Sequence, residues 1–92
     1  MAKLVRDRIP DLFGGSARPL NPPDFRAALR EKLREETEEY LEAGDVQELA
    51  DVLEVVYALA ALDGLTPADL EVLRAGKAEA RGAFLRRLWW EG

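Results

Sequence analysis

The stretch EKLREETEEYLEAGDVQELADVLEVVYALAALDG, residues 31–64, decides how this chain folds. It opens as an acidic amphipathic run, breaks at Gly44, and resumes at Asp45 as a segment that is apolar on nearly every side from Val52 to Leu62. Before the break, Leu33, Glu36 and Tyr40 continue a stripe begun by Phe25 and Leu29, in the three- and four-residue steps of one helix face. Gly44 suits the left-handed position just past a helix end, and Asp45 suits the N-cap of the next helix. The spacing predicts two consecutive helices, over about 22–42 and 45–62. So short a turn between them predicts an antiparallel hairpin.

Working outward, Asn21 offers an N-cap, and Pro22 and Pro23 fall in a first turn, where a missing N–H has no intrahelical partner. Downstream, Asp63-Gly64 stops the second helix. Thr66-Pro67-Ala68-Asp69 then starts a third, over about 67–81, which Gly82 ends. Residues 1–20 read as an N-terminal segment and linker, with turn chemistry in Gly14-Gly15-Ser16-Ala17-Arg18-Pro19. Residues 82–92 read as an amphipathic tail in which Trp89 and Trp90 are packing residues rather than ligand stackers. The whole, 1–92, is a single all-α domain, a three-helix subunit.

A helix that is apolar all round is buried all round. A chain of 92 residues buries only about 60–65% of the surface its unfolded form exposes, so three helices cannot cover it. The bundle is therefore expected to be completed across a homodimer interface.

Composition narrows the chemistry. There is no Cys and no His, which removes disulfides, imidazole metal sites and Ser-His or Cys-His catalysis; any metal must be held by oxygen. The first thirty residues lack the apolar run of a signal peptide, and no stretch approaches the roughly 20 apolar residues that span a bilayer. A soluble, cytoplasmic protein is expected, with no membrane partner. Between Glu31 and Glu54 ten acids face only Lys32 and Arg34, a local charge of −8; with the chain at −5, the remainder is +3. An acidic centre with basic flanks argues against a nucleic-acid polymer as partner, which needs one broad basic face.

The acids are patterned. Glu35-Glu36-x-x-Glu39 is followed by Glu48-x-x-Asp51, and residues three apart share a helix face. The hairpin should set Glu36 and Glu39 opposite Glu48 and Asp51. A lone E-x-x-E on an acidic helix is usually a solvated face, and Asp45-x-x-Glu48 also fits a capping box that needs no metal. Two positions weigh the other way. Glu36 lies within the apolar stripe, and Asp51 heads the row Asp51, Val55, Ala58, Leu62. Withdrawing a carboxylate from water costs several kcal/mol even after relaxation, so acids placed there must protonate or meet a cation. A set of carboxylates alone selects Mg²⁺, or Mn²⁺, over Zn²⁺.

These residues resemble the metal-binding pattern of the MazG-like, all-α nucleotide pyrophosphohydrolase superfamily. The opening Lys3-Leu4-Val5-Arg6-Asp7-Arg8-Ile9-Pro10 is similar to the start of its small phosphoribosyl-ATP pyrophosphohydrolase-like members. So are Leu49-Ala50-Asp51-Val52-Leu53-Glu54-Val55-Val56-Tyr57-Ala58-Leu59 and Lys77-Ala78-Glu79-Ala80-Arg81-Gly82-Ala83-Phe84. The resemblance implies Mg²⁺-dependent cleavage of a nucleoside triphosphate to monophosphate and pyrophosphate, by a homodimer or homotetramer. On it Glu36, Glu39, Glu48 and Asp51 are metal ligands, and Glu35 is a catalytic residue that binds a second ion or orients water. Lys3, Arg6, Arg8, Lys77 and Arg81 are candidate phosphate contacts. Two alternatives remain: phosphoribosyl-ATP pyrophosphohydrolase of histidine biosynthesis, and a non-catalytic helical oligomer stabilised by metal. The chain departs from many MazG-like relatives in its short spacing from Glu39 to Glu48 and its abbreviated Gly14–Arg18 linker, and both departures bear on the substrate.

Overall fold

The computed structural model describes residues 2–92; Met1, counted above in the N-terminal segment, lies outside them. Among the described residues the chain is all helix and loop: α1 (Ile9–Phe13), α2 (Pro22–Ala43), α3 (Val46–Leu62) and α4 (Pro67–Arg81).

The three long helices fall within a residue or two of their expected bounds because their caps are written locally. The Asn21 side chain accepts the Asp24 N–H at 2.9 Å, and Gly44 closes α2 in the left-handed conformation, φ 66°. Thr66 and Asp69 form a reciprocal capping box at the start of α4, at 3.1 and 2.9 Å. Such caps each contribute about 1 kcal/mol. The expected three helices are four. The fourth is the single turn α1, set by Pro10 at its first positions and ended by Gly14, whose N–H donates to the Pro10 carbonyl at 2.8 Å. One turn carries no repeating apolar stripe, so periodicity gives no sign of it.

α2 packs along α3 as an antiparallel hairpin. Its open end is tied by Arg26, near the start of α2, whose Nη2 donates to Asp63 Oδ1 at 2.8 Å just past the end of α3. The core between them is thin: Leu29, Val55 and Ala60 are buried, Phe25, Leu33, Tyr40, Val52 and Val56 only half-buried. α4 meets α3 more sparingly, leaving Val72 and Leu73 exposed. The radius of gyration is 16.4 Å, against about 12 Å for a compact chain of this length. A single chain therefore does not bury α3 all round, and Leu53 is left 46% exposed. Trp89 and Trp90, expected to pack, are each 88% exposed: Gly82, at φ 83°, takes the chain off α4, and residues 82–92 form no helix.

Candidate metal centre

Glu36 lies one turn beyond Leu33 on the core face of α2, and the fold buries it there: it is 7% exposed. Its Oε1 meets Lys32 Nζ at 3.3 Å, while its Oε2 is buried with no hydrogen-bond partner. An unpartnered buried carboxylate oxygen costs more than a surface one by a kcal/mol or several, and its surroundings show what would relieve it. Glu35 and Glu39 bring carboxylate oxygens within 4.8 Å of Glu36 from the same helix. Glu48 and Asp51 do so from α3. The four expected ligands and Glu35 thus form two overlapping triads, Glu35–Glu36–Glu39 and Glu36–Glu48–Asp51; Glu36 belongs to both, and Glu39 groups with Glu35 rather than with Glu48 and Asp51.

Electrostatics follow from that crowding. The Glu39 carboxyl is pushed above its ordinary range, first by the Glu36 carboxylate beside it, then by desolvation and by the charges of Glu48 and Glu35. Glu48 is also raised, by desolvation first and then by the charges of Asp51, Glu36 and Asp45. The capping box that could have occupied Glu48 does not form: Asp45 caps the Gln47 N–H instead, at 3.0 Å, which leaves the Glu48 carboxylate to the cluster.

Two cations partly answer the five acids. Lys32 sits 3.4 Å from Glu35 and 3.3 Å from Glu36. Desolvation alone would lower it, but hydrogen bonding to Glu36 and the charges of Glu35 and Glu36 hold it above its usual value. Arg6 reaches across from the N-terminal segment to Asp51, Nη2 to Oδ1 at 2.6 Å. Neither contact was expected from the sequence. Lys32 could have been found, since it stands three and four residues before Glu35 and Glu36 on one helix face. The Arg6–Asp51 pair joins positions 45 apart and has no local signal.

A cleft of about 490 Å³ adjoins the cluster. The N-terminal segment walls it with Leu4, Val5, Arg6, Asp7 and Arg8, α2 with Phe25, Leu29, Lys32 and Glu36, and α3 with Asp51, Glu54, Val55 and Ala58. Of the basic residues singled out above, Arg6 and Arg8 therefore line the cleft. Lys3, Lys77 and Arg81 are exposed and do not.

An all-oxygen cluster with excess negative charge and an orphaned buried oxygen fits a hard divalent cation such as Mg²⁺. No helix among the described residues is long and apolar enough to cross a membrane. Comparison of the chain with protein-family models, curated proteins and solved structures gives no match.

Proposed function

We propose that this protein is a Mg²⁺-dependent nucleoside triphosphate pyrophosphohydrolase of MazG-like type. It releases pyrophosphate and a nucleoside monophosphate, accepts Mn²⁺ in place of Mg²⁺, and works in the cytoplasm as a homodimer or homotetramer. The observation that carries the reading is Glu36: a nine-tenths-buried carboxylate with an unpartnered oxygen at the junction of two carboxylate triads, beside a cleft edged by arginines. A solvated acidic face has no reason to bury one of its members.

In this reading Glu36, Glu39, Glu48 and Asp51 hold the cation, with Glu36 shared between the two triads. When bound, the ion supplies charge neutralisation for the triphosphate and a lowered pKa for the attacking water. Glu35, the remaining member of the α2 triad, orients the water or holds a second ion. Arg6 and Arg8 reach phosphate oxygens from the cleft wall by charge-assisted hydrogen bonds. Lys3, Lys77 and Arg81, outside the cleft, add longer-range attraction for a polyanion. The chemistry is water attack at a phosphoanhydride, so no protein nucleophile is needed, in keeping with a chain that has neither Cys nor His.

The homo-oligomer is supported by what a single chain leaves uncovered: the half-exposed Leu49 and Leu53 of α3, the exposed Val72 and Leu73 of α4, and the extended overall shape. Turnover of a panel of nucleoside triphosphates, followed by pyrophosphate release with Mg²⁺ and then with EDTA, tests the function. Chelator-sensitive release of pyrophosphate is the expected result. An absence of turnover on every nucleotide, with Mg²⁺ still bound, would leave a metal-stabilised helical oligomer instead.

A further inference from the structure

Arg6 holds two assignments that conflict. As a phosphate contact its guanidinium should be open to an anion in the cleft it lines; in the structure its Nη2 is bonded to Asp51 Oδ1 at 2.6 Å, and Asp51 is a member of the α3-side triad. A divalent ion and a guanidinium compete for that carboxylate. We propose that Arg6 is a displaceable counter-ion: it sits on Asp51 until a divalent cation takes that carboxylate, and the freed guanidinium then binds the triphosphate in the same cleft. The metal must therefore bind before the nucleotide can be held fully. Only the phosphate half of this inference rests on the pyrophosphohydrolase reading; the exchange at Asp51 needs the cation alone.

Three features make the exchange workable. The pair is half-exposed, with Arg6 and Asp51 side chains 57% and 40% accessible, and pairs of that kind shift an equilibrium by about fivefold at most. A doubly charged ion held by three carboxylates outcompetes such a partner. The segment that carries Arg6 is anchored separately, because Leu4 and Val5 are half-buried against the cleft. Release of the side chain therefore need not release the segment. Lastly, the planar fork of Arg matches phosphate as well as carboxylate geometry, so one group can serve both partners in turn.

The test uses the full chain as wild type, Arg6→Gln and Arg6→Lys. Mg²⁺ alone is titrated by calorimetry, and inorganic triphosphate is then titrated at saturating Mg²⁺. Arg6→Gln should bind Mg²⁺ about two- to fivefold more tightly, since a competitor is gone. It should bind triphosphate roughly tenfold or more weakly, since a charge-assisted hydrogen bond is gone. Arg6→Lys keeps the charge and should stay near wild type for Mg²⁺. A merely structural Arg6 would weaken both affinities together. Unchanged or weaker Mg²⁺ binding by Arg6→Gln overturns the exchange, and unchanged triphosphate binding overturns the transfer to phosphate. A wild-type chain that binds no divalent ion overturns the metal centre itself, a failure distinct from either.

Discussion

Replacing Glu36 by Gln keeps the side chain's shape and removes the one charge common to both carboxylate triads. In the wild-type protein the acids converge only in the folded state, so Mg²⁺ binds folded chains and hardly binds the dispersed acids of unfolded ones. Binding then adds RT ln(1 + [Mg²⁺]/Kd), about 2.7 kcal/mol at a hundredfold excess over Kd. In a domain of this size 1 kcal/mol moves the melting midpoint by roughly 4–8 °C. Saturating Mg²⁺ should therefore raise the midpoint by about 10–20 °C over NaCl at equal ionic strength. Glu36→Gln should lose most of that rise. Glu39→Gln and Glu48→Gln each touch one triad only and should lose a part. The assay is thermal unfolding followed by circular dichroism at 222 nm in the two matched salts. A Glu36→Gln protein that responds to Mg²⁺ as the wild type does would refute the reasoning. So would a wild type that melts alike in both salts, since an exposed acidic face gives only generic screening.

Further outcomes follow from other parts of the structure. Glu39→Gln and Asp51→Asn should abolish Mg²⁺-dependent pyrophosphate release while leaving the metal-free fold intact or more stable, because each takes a charge out of a repelling cluster; near-wild-type rates in either would remove that residue from the site. Glu39 and Glu48 have raised folded-state values, so their contribution to metal-free stability is full below the ordinary glutamate pKa and is lost as pH rises through the folded value. Acidifying from neutrality should thus relieve the cluster as it weakens Mg²⁺ binding, and melts across pH 4–7 with and without Mg²⁺ should converge toward the acid end. Asp69 and Glu71 are lowered, by the Thr66 backbone and the Arg74 side chain respectively, and act in the opposite sense, losing their contribution only at lower pH. Thr66→Ala removes the α4 cap and should lower the midpoint by about 4–8 °C without changing the Mg²⁺ response. Val56→Asp should dissociate or unfold an assembly that otherwise sediments larger than a monomer.

What could be read from the sequence was whatever is written within one or two helical turns. The caps at Asn21, Gly44 and Thr66 set the ends of the long helices, and the four-four-three-four spacing from Phe25 to Tyr40 placed Glu36 on the core face, where it is buried. The hairpin turn at Gly44-Asp45 sufficed to bring Glu48 and Asp51 to that acid. What escaped depends on a competition or on distance. Asp45 and Glu48 fit a capping box, yet Asp45 caps Gln47, a choice between neighbouring N–H groups that spacing does not decide. The single turn α1 lacks a period, and the Arg6–Asp51 pair depends on where the N-terminal segment comes to rest. The tail from Phe84 to Trp90 is apolar enough to suggest packing, but packing needs an opposing surface, and one chain supplies none.

The most direct measurement is to titrate Mn²⁺, as a paramagnetic substitute for Mg²⁺, into the isotopically labelled protein and follow the carboxyl resonances by NMR. If two consecutive helices gather their acids into one cation centre, the signals of Glu35, Glu36, Glu39, Glu48 and Asp51 should broaden first and together, at substoichiometric Mn²⁺, and excess Mg²⁺ should restore them. Glu71 and Glu91, remote from the cluster in sequence, should stay sharp over the same range. Broadening spread evenly over all the acids, or none until Mn²⁺ is in large excess, would contradict the account.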